Sequence, residues 1–294
     1  MSAVVRFQPE LADWLNEGLD AGQAPTALIQ KMIDEQMQPA VAQALVDAFV
    51  TARRAGAAAP RDTLVVENDA GVFLREAPLI AAGATLPTSD GPVPVLARGT
   101  SPTLALLGAV MSPDECAELI ALARPRLVTS TVVDPQTGQD VVAGYRNSLG
   151  MFFRLGENEL IGRLDRRFAE LMRLPIENGE GLQVLCYGPG GATAPHFDFV
   201  APSNAANQSS VARSGQRIST LLIYLADVEE GGETVFPRAG WSVQPQAGNA
   251  IYFESCNRQG QLDPQSLHAG QPVLRGEKWV VTKWMRQRRF IPRA

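Results

Sequence analysis

Short apolar runs separated by turn residues fill the C-terminal part of the chain and constrain its fold more than any other feature. Five of them are LQVLCY, RISTLLIYL, ETVF, GNAIYF and KWVVTKWM, and Gly, Pro and Asn residues lie between them. Several short strands with frequent turns are typical of a β-sandwich or a barrel. Because helices are predicted ahead of these runs, the sequence indicates an α+β protein with a β-rich core.

Helical periodicity dominates the N-terminal part. Residues 7–55 carry apolar side chains at helical spacing, and the run RRAGAAAP at 53–60 resembles a linker. Beyond it, short β-like runs continue to Arg98, and a helix follows with Ser112 as its predicted N-cap. A second helix is expected at about Glu159–Met172. We therefore predict three parts: a helical module at 1–60, a β-rich connecting segment at 61–103 and a main domain at 104–294.

Composition and charge exclude several classes of function. Hydrophobic residues make up 45% of the chain and charged ones 19%, which is typical of a globular protein. A net charge of -5 gives no basic surface for nucleic acid, so we expect no nucleic-acid partner. No run of roughly 20 apolar residues is present, so no membrane association is expected. The N-terminus lacks the pattern of a secretory signal and the three cysteines have no CxxC spacing, which favours a cytoplasmic location.

Only two histidines, His196 and His268, occur in the chain, and both lie in the β-rich part. His196 and Asp198 are two residues apart, so on an extended strand their side chains point to the same face. Two imidazoles and one carboxylate leave three octahedral positions open, which suits non-heme Fe(II). A structural zinc site would instead fill all four positions, usually with cysteine. An HxD pair alone is a weak signal, and its match to a metal site needs support from other residues.

That support comes from a lysine ten residues after the second histidine. In KWVVTKWM, alternation places Lys278, Val280, Thr282 and Trp284 on one strand face. A lysine on an interior face is costly unless it meets an anion, which a dicarboxylate cosubstrate would supply. Trp284 would then help to line the same pocket. Spacing alone leaves open a solvent-facing Lys278 and a plain core role for Trp284.

The run LQVLCYGPGGATAPHFDF resembles the metal-binding strand of prolyl 4-hydroxylases, which are Fe(II)/2-oxoglutarate-dependent dioxygenases. The similarity continues through RISTLLIYLADVEEGGETVFP, GNAIYF and HAGQPVLRGEKWVVTKW, and covers roughly Leu104 to Arg289. It implies a double-stranded β-helix, or jelly roll, with flanking helices. The domain at 104–294 would then be a dioxygenase domain.

The resemblance also implies cofactors and residue roles. His196, Asp198 and His268 would bind Fe(II), Lys278 the distal carboxylate of 2-oxoglutarate, and Tyr187 would line the cosubstrate pocket. Dioxygen would be the other cosubstrate and ascorbate a reductant. The family often has a second tyrosine, three residues before the first histidine, that also contacts 2-oxoglutarate. This chain has Thr193 at that cofactor-binding position, which keeps a hydroxyl but lacks the reach of the ring.

Two loops are predicted to close over substrate, namely Asp134–Tyr145 and Pro202–Gln216; ordinary surface loops are the alternative. Three functions stay open: hydroxylation of prolyl residues at C4 in a protein or peptide, the same chemistry on a free amino acid or other small molecule, and a non-catalytic jelly-roll binding module. The sequence leaves the oligomeric state undetermined.

Overall fold

The computed structural model describes residues 2–35, 37, 39–67, 73–130, 132–133, 140–141 and 147–292. The chain divides into two compact units, Met1–Leu74 and Arg75–Ala294. The first contains the helices expected in 1–60, and the second contains the β-rich core. Within the described residues, no helix combines the length and the apolar character needed to cross a membrane.

Three helices and a two-stranded ribbon form the first unit. Each helix begins at a proline, because the first turn of a helix needs no N–H partner. The helices bury Leu15, Leu28, Leu45 and Phe49 against one another. The elements are β1 (Ser2–Arg6), α1 (Pro9–Asp20), α2 (Pro25–Asp34), α3 (Pro39–Ala55) and β2 (Thr63–Glu67), with β1 antiparallel to β2.

The second unit consists mostly of strands. Its strands are β3 (Thr85–Leu86), β4 (Val93–Thr100), β5 (Thr103–Leu107), β6 (Val128–Thr129), β7 (Val132–Val133), β8 (Asp140–Val141), β9 (Leu149–Phe153), β10 (Leu182–Tyr187), β11 (Thr193–His196), β12 (Arg217–Tyr224), β13 (Glu230–Gly231), β14 (Thr234–Phe236), β15 (Trp241–Val243), β16 (Ala250–Glu254), β17 (His268–Gly270), β18 (Val273–Arg275) and β19 (Lys278–Arg286). Its helices are α4 (Pro113–Ala123), α5 (Glu159–Met172) and α6 (Ala205–Ser214).

Two antiparallel sheets make the core of this unit. The larger has nine strands in the order β3-β4-β5-β16-β12-β19-β10-β9-β6, and the smaller has four in the order β11-β17-β14-β15. Together with helices α4 and α5 they confirm the predicted α+β jelly roll with flanking helices. Segment 61–103, expected to connect two domains, supplies β2 to the first unit and β3 and β4 to the larger sheet.

Strand β19 shows how the sequence divides the core into two layers. Its residues Trp279, Val281 and Met285 pack in the cluster that contains Leu164 and Phe168 of α5. Lys283 points the same way and forms a buried ion pair of 2.7 Å with Asp165 of α5. The alternate residues of β19 face the opposite side of the larger sheet, where the functional side chains gather.

Candidate active site

The two histidines face each other across two paired strands. His196 ends β11 and His268 begins β17, and the register places them directly opposite, with ring centroids 4.3 Å apart. Asp198 does not lie on the strand, as the HxD spacing suggested, but in the bend that follows it. That bend still brings the carboxylate to the imidazoles: its Oδ1 lies 3.8 Å from Nε2 of each histidine.

These three side chains fit a metal ion. One ligand atom from each lies within 4.8 Å of the others. In the described part of the chain, no other group of three His, Cys, Asp or Glu residues lies close enough together to hold one ion. Nδ1 of His196 lies 2.9 Å from the carbonyl of Ala194, and Nδ1 of His268 lies 3.0 Å from that of Ser266. A carbonyl only accepts, so Nδ1 carries the proton and the lone pair of Nε2 is available to bind a metal ion.

The carboxylate of Asp198 is oriented so that it can bind the same metal ion. Thr220 on β12 donates a 2.8 Å hydrogen bond to its Oδ2, which leaves Oδ1 directed at the histidines. Burial by itself would raise the pKa of Asp198. The imidazoles of His268 and His196 when protonated, and then the charge of Arg217 and the Thr220 hydrogen bond, hold the pKa below its ordinary value. Asp198 is therefore anionic and suited to bind a metal ion.

Lys278 is buried, with 4% of its surface exposed, so the solvent-facing alternative does not apply. Its Nζ lies 3.3 Å from the hydroxyl of Thr234 and near the rings of Tyr187 and Tyr224, at 5.9 and 5.8 Å from their centroids. Burial lowers the pKa of Lys278 from 10.5 to about 8. The charge of Glu233 acts on Lys278, but among the described residues no carboxylate lies within ion-pair distance of its Nζ, which leaves Lys278 able to pair with a ligand carboxylate.

One cavity of about 560 Å³ joins these residues. Its wall includes four alternate residues of β19, namely Lys278, Val280, Thr282 and Trp284. At about 3.3 Å per residue, Lys278 and Trp284 lie about 20 Å apart along the strand. His196, Asp198 and His268 also line this cavity, so a ligand held at Lys278 can extend to the candidate metal position.

Comparison with known proteins supports this arrangement. Residues 182–286 match the 2OG-Fe(II) oxygenase superfamily. The chain is 44% identical over 203 residues to prolyl 4-hydroxylase 1 of Arabidopsis thaliana, covering 64% of this chain and 70% of that protein. The chain belongs to the prolyl 4-hydroxylase family. It is therefore a 2-oxoglutarate-dependent dioxygenase, whose reaction uses Fe(II), 2-oxoglutarate and dioxygen.

Two further relatives agree with the family assignment. Probable prolyl 4-hydroxylase 3 of Arabidopsis thaliana is 44% identical over 195 residues, which cover 60% of this chain and 66% of that protein. A viral collagen prolyl hydroxylase from Paramecium bursaria Chlorella virus-1, solved as a 2OG complex, matches with 29% identity and a TM-score of 0.50. That match covers 62% of this chain and 95% of the viral one. The chain spans about two thirds of the length of these plant relatives.

Thr193 takes the position where the prolyl 4-hydroxylase family often has a second tyrosine. It is buried and lies 2.9 Å, hydroxyl to hydroxyl, from Tyr187. Both residues line the cavity, next to Gly270 and Lys278. A hydroxyl group is thus retained at this position, while the volume of an aromatic ring is absent.

Trp284 lies on the cavity wall and also under a cation. The guanidinium of Arg217 stacks on its ring at 3.9 Å from the centroid, and the same guanidinium donates to the carbonyl of Asp198 at 3.3 Å. Glu180 accepts two hydrogen bonds from Arg217, at 2.7 and 2.8 Å, and one from Arg286 at 2.6 Å. Burial would raise the pKa of Glu180, but these two guanidinium groups hold it below its ordinary value.

Sequence reasoning missed several residues of this site: Glu180, Gln183, Arg217, Thr220 and Thr234. Alternation along RISTLLIYL places Thr220 on the same face as Leu222, which lines the cavity, and this is a usable signal for a threonine on the functional side of the sheet. Nothing in the sequence indicates that Arg217 would be buried by pairing with Glu180.

The structure describes the two loops that were predicted to close over substrate to different extents. Most of Asp134–Tyr145 lies outside the described residues; only β8 within it is described, and it pairs with β7. Pro202–Gln216 contains helix α6 (Ala205–Ser214) rather than being an irregular loop throughout, and Asn204 caps this helix by accepting a 2.8 Å bond from the Asn207 N–H. Asn207 and Ser210 of this helix line the cavity.

Proposed function

We propose that this dioxygenase hydroxylates C4 of proline residues in a protein or peptide. One observation carries the proposal: three metal-ligating atoms and a buried lysine without a carboxylate partner among the described residues share one cavity. The relatives named as prolyl 4-hydroxylases, 44% identical to this chain, support proline as the substrate. The non-catalytic alternative would require a missing ligand or anion partner, and the chain has both.

The residues around the cavity have different roles in the proposed reaction. His196, Asp198 and His268 would hold Fe(II) through three positions and leave three for 2-oxoglutarate and dioxygen. Such a metal would activate dioxygen, the oxidant, so that one of its oxygen atoms enters the C–H bond and the other enters the succinate formed from 2-oxoglutarate. Lys278 would pair with the distal carboxylate of 2-oxoglutarate and set its orientation. Burial of the cavity wall excludes water from the reacting groups.

Turnover of the recombinant protein tests this function. It is incubated with Fe(II), 2-oxoglutarate, ascorbate and a panel of proline-containing peptides, and both succinate and the mass of the peptide are measured. A gain of one oxygen atom, with 4-hydroxyproline in the hydrolysed product, is the expected result. His196→Ala should abolish both signals, because one of the metal ligands is lost. Turnover equal to that of the unmodified protein would contradict the iron assignment.

A free amino acid is the second candidate substrate, and Thr193 is the observation that favours it. The missing ring in the cosubstrate pocket changes a wall that peptide-hydroxylating relatives often build from tyrosine. Free proline and other free amino acids therefore belong in the same assay. Succinate release with a free amino acid but with none of the peptides would replace the first proposal by the second.

We further propose ascorbate as the reductant and the cytoplasm as the location. All three cysteines are buried and unpaired, which supports a reducing compartment. Omitting ascorbate from the assay should shorten the linear phase of turnover. Cell fractionation with an antibody to the chain should recover it with cytoplasmic markers.

A further inference from the structure

The carbonyl that accepts a hydrogen bond from His268 lies in a short turn just ahead of this histidine. Residues Pro264–Ser266 form one turn of 3-10 helix, and Nδ1 of His268 lies 3.0 Å from the carbonyl of Ser266. His196 differs, because its Nδ1 meets the carbonyl of Ala194 within strand β11 itself. The position of the proton on His268 therefore depends on how firmly this turn is held.

Asp263 holds the turn through both its side chain and its backbone. Its Oδ1 accepts a 2.8 Å hydrogen bond from the N–H of Gln265, which caps the turn. Its carbonyl accepts two bonds from Ser266, one from the N–H at 3.2 Å and one from the hydroxyl at 2.8 Å. Asp263 and Ser266 are both buried, so water does not take the place of a lost bond.

Backbone contacts connect the same turn to both sheets. The N–H of Asp263 donates a 2.9 Å hydrogen bond to the carbonyl of Ser255, the residue that follows strand β16 of the larger sheet. The carbonyl of Pro264 accepts a 2.6 Å bond from Arg238, which follows strand β14 of the smaller sheet. Asp263 thus links the capped turn to a strand end whose position is set by the core.

Packing fixes the ring of His268 but does not choose which nitrogen carries its proton. Phe253 and Phe236 lie beside the imidazole, with ring centroids 4.8 and 5.5 Å away. The proton position of a neutral imidazole is set by the hydrogen bond that one of its nitrogens makes. The carbonyl of Ser266 therefore keeps the proton on Nδ1 and leaves Nε2 able to bind a metal ion.

We infer that Asp263 is a positioning residue for the metal site, which fixes the turn whose Ser266 carbonyl keeps the proton on Nδ1 of His268. Asp263 does not line the cavity and acts through Ser266. The inference concerns the metal ligand and does not depend on which substrate is hydroxylated.

Nitrogen-15 NMR of the untagged, metal-free protein reads the tautomer of each histidine, because the chain has only two. At about pH 9, above the ordinary pKa of histidine, both imidazoles are neutral. In the unmodified protein we expect both protons on Nδ1. Asp263→Ala should convert His268 to a mixture of Nδ1–H and Nε2–H forms and leave His196 unchanged. Asp263→Asn keeps an acceptor oxygen at the cap and should behave as the unmodified protein does.

Metal affinity is the second measurement. Loss of the group that orients a ligand histidine weakens metal binding, and we expect Asp263→Ala to lower the affinity for Fe(II) by about tenfold in an anaerobic titration. Asn158→Ala is the matched control, since it removes a cap of the same kind from helix α5, where the side chain accepts a 2.9 Å bond from the N–H of Ile161. This control should change neither the tautomers nor the affinity, which separates positioning of His268 from general destabilisation.

An Nδ1–H tautomer retained by His268 in Asp263→Ala would overturn the inference, as would equal changes at His196 and His268. Ser266→Ala decides the question if Asp263→Ala does not fold, because it removes only the hydroxyl bond to the Asp263 carbonyl. It should convert part of the His268 population, and an unchanged His268 would again overturn the inference. Both measurements are made without substrate, so failure of proline hydroxylation would contradict the proposed function alone.

Discussion

Thr220 donates a 2.8 Å hydrogen bond from its Oγ1 to Oδ2 of Asp198. Both side chains are buried, and the bond directs the other carboxylate oxygen at the two histidines. Thr220 lies on the larger sheet, whereas His196 and His268 lie on the smaller one. The metal centre thus depends on the packing of two sheets rather than on one strand.

Thr220→Val should weaken metal binding without removing a ligand. The isosteric change leaves Asp198 in place but removes the bond that orients it, so we expect affinity for Fe(II) to fall by about 10- to 100-fold. Anaerobic titration with Fe(II) measures this. Thr282→Val, on the adjacent strand β19 and without a hydrogen bond to Asp198, is the control. Equal affinities in the two variants would show that Thr220 does not orient the carboxylate.

Binding of 2-oxoglutarate should depend on pH through Lys278. The pKa of this side chain is about 8 because burial disfavours the ammonium form. The dicarboxylate pairs with that form, so affinity is highest below the pKa and declines as the pH rises through it. The decline should approach tenfold per pH unit until the pKa of the complex is reached. Dissociation constants of the metal-loaded protein, measured from about pH 7 to about pH 10, check this.

Lys278→Met is the matched variant for that titration. Loss of a charge-assisted bond should raise KM for 2-oxoglutarate by about 10- to 100-fold near neutral pH. The remaining binding should no longer decline above the pKa of the lost lysine. A decline identical to that of the unmodified protein would assign the titration to another group.

The hydroxyl pair of Tyr187 and Thr193 should act as one unit. Tyr187→Phe and Thr193→Val each remove one side of a buried 2.9 Å hydrogen bond. Each should raise KM for 2-oxoglutarate by roughly two- to tenfold, and the double variant should be no worse than the poorer single one. Steady-state kinetics of the four proteins measure this. Additive effects would mean that the two hydroxyls act independently.

The buried pair of Lys283 and Asp165 should matter for stability. Lys283→Met leaves the carboxylate of Asp165 buried without its cation, and we expect the free energy of unfolding to fall by about 3–5 kcal/mol. Adding Asp165→Leu removes the unpaired carboxylate and should restore part of the lost free energy of unfolding. Urea denaturation followed by circular dichroism measures both. A double variant less stable than Lys283→Met would contradict this account.

Much of the fold and site follows from local pattern. Alternation in KWVVTKWM separates Lys278 and Trp284 from the residues that pack on α5, because successive side chains of a strand point to opposite faces. The helical spacing of apolar residues over 7–55 corresponds to helices α1, α2 and α3. Because the chain has only two histidines, a metal site with two imidazoles must use both His196 and His268.

Other features depend on contacts between residues distant in sequence. Asp198 reaches the histidines from a bend, and Thr220, 22 residues away, orients it. Helix α6 forms where a polar, Ser- and Asn-rich segment resembled a loop, because the Asn204 cap satisfies an end of the helix.

The sequence by itself therefore determined which residue types could bind iron and an anion, since these depend on identity and strand period. Only the tertiary structure decided which buried groups pair and which are left for a ligand. Arg217 is neutralised by Glu180, whereas Lys278 and Gln183 face the cavity with no protein charge or donor paired to them among the described residues. The physical reason is that burial and pairing are set by the packing of two sheets, which no local pattern encodes.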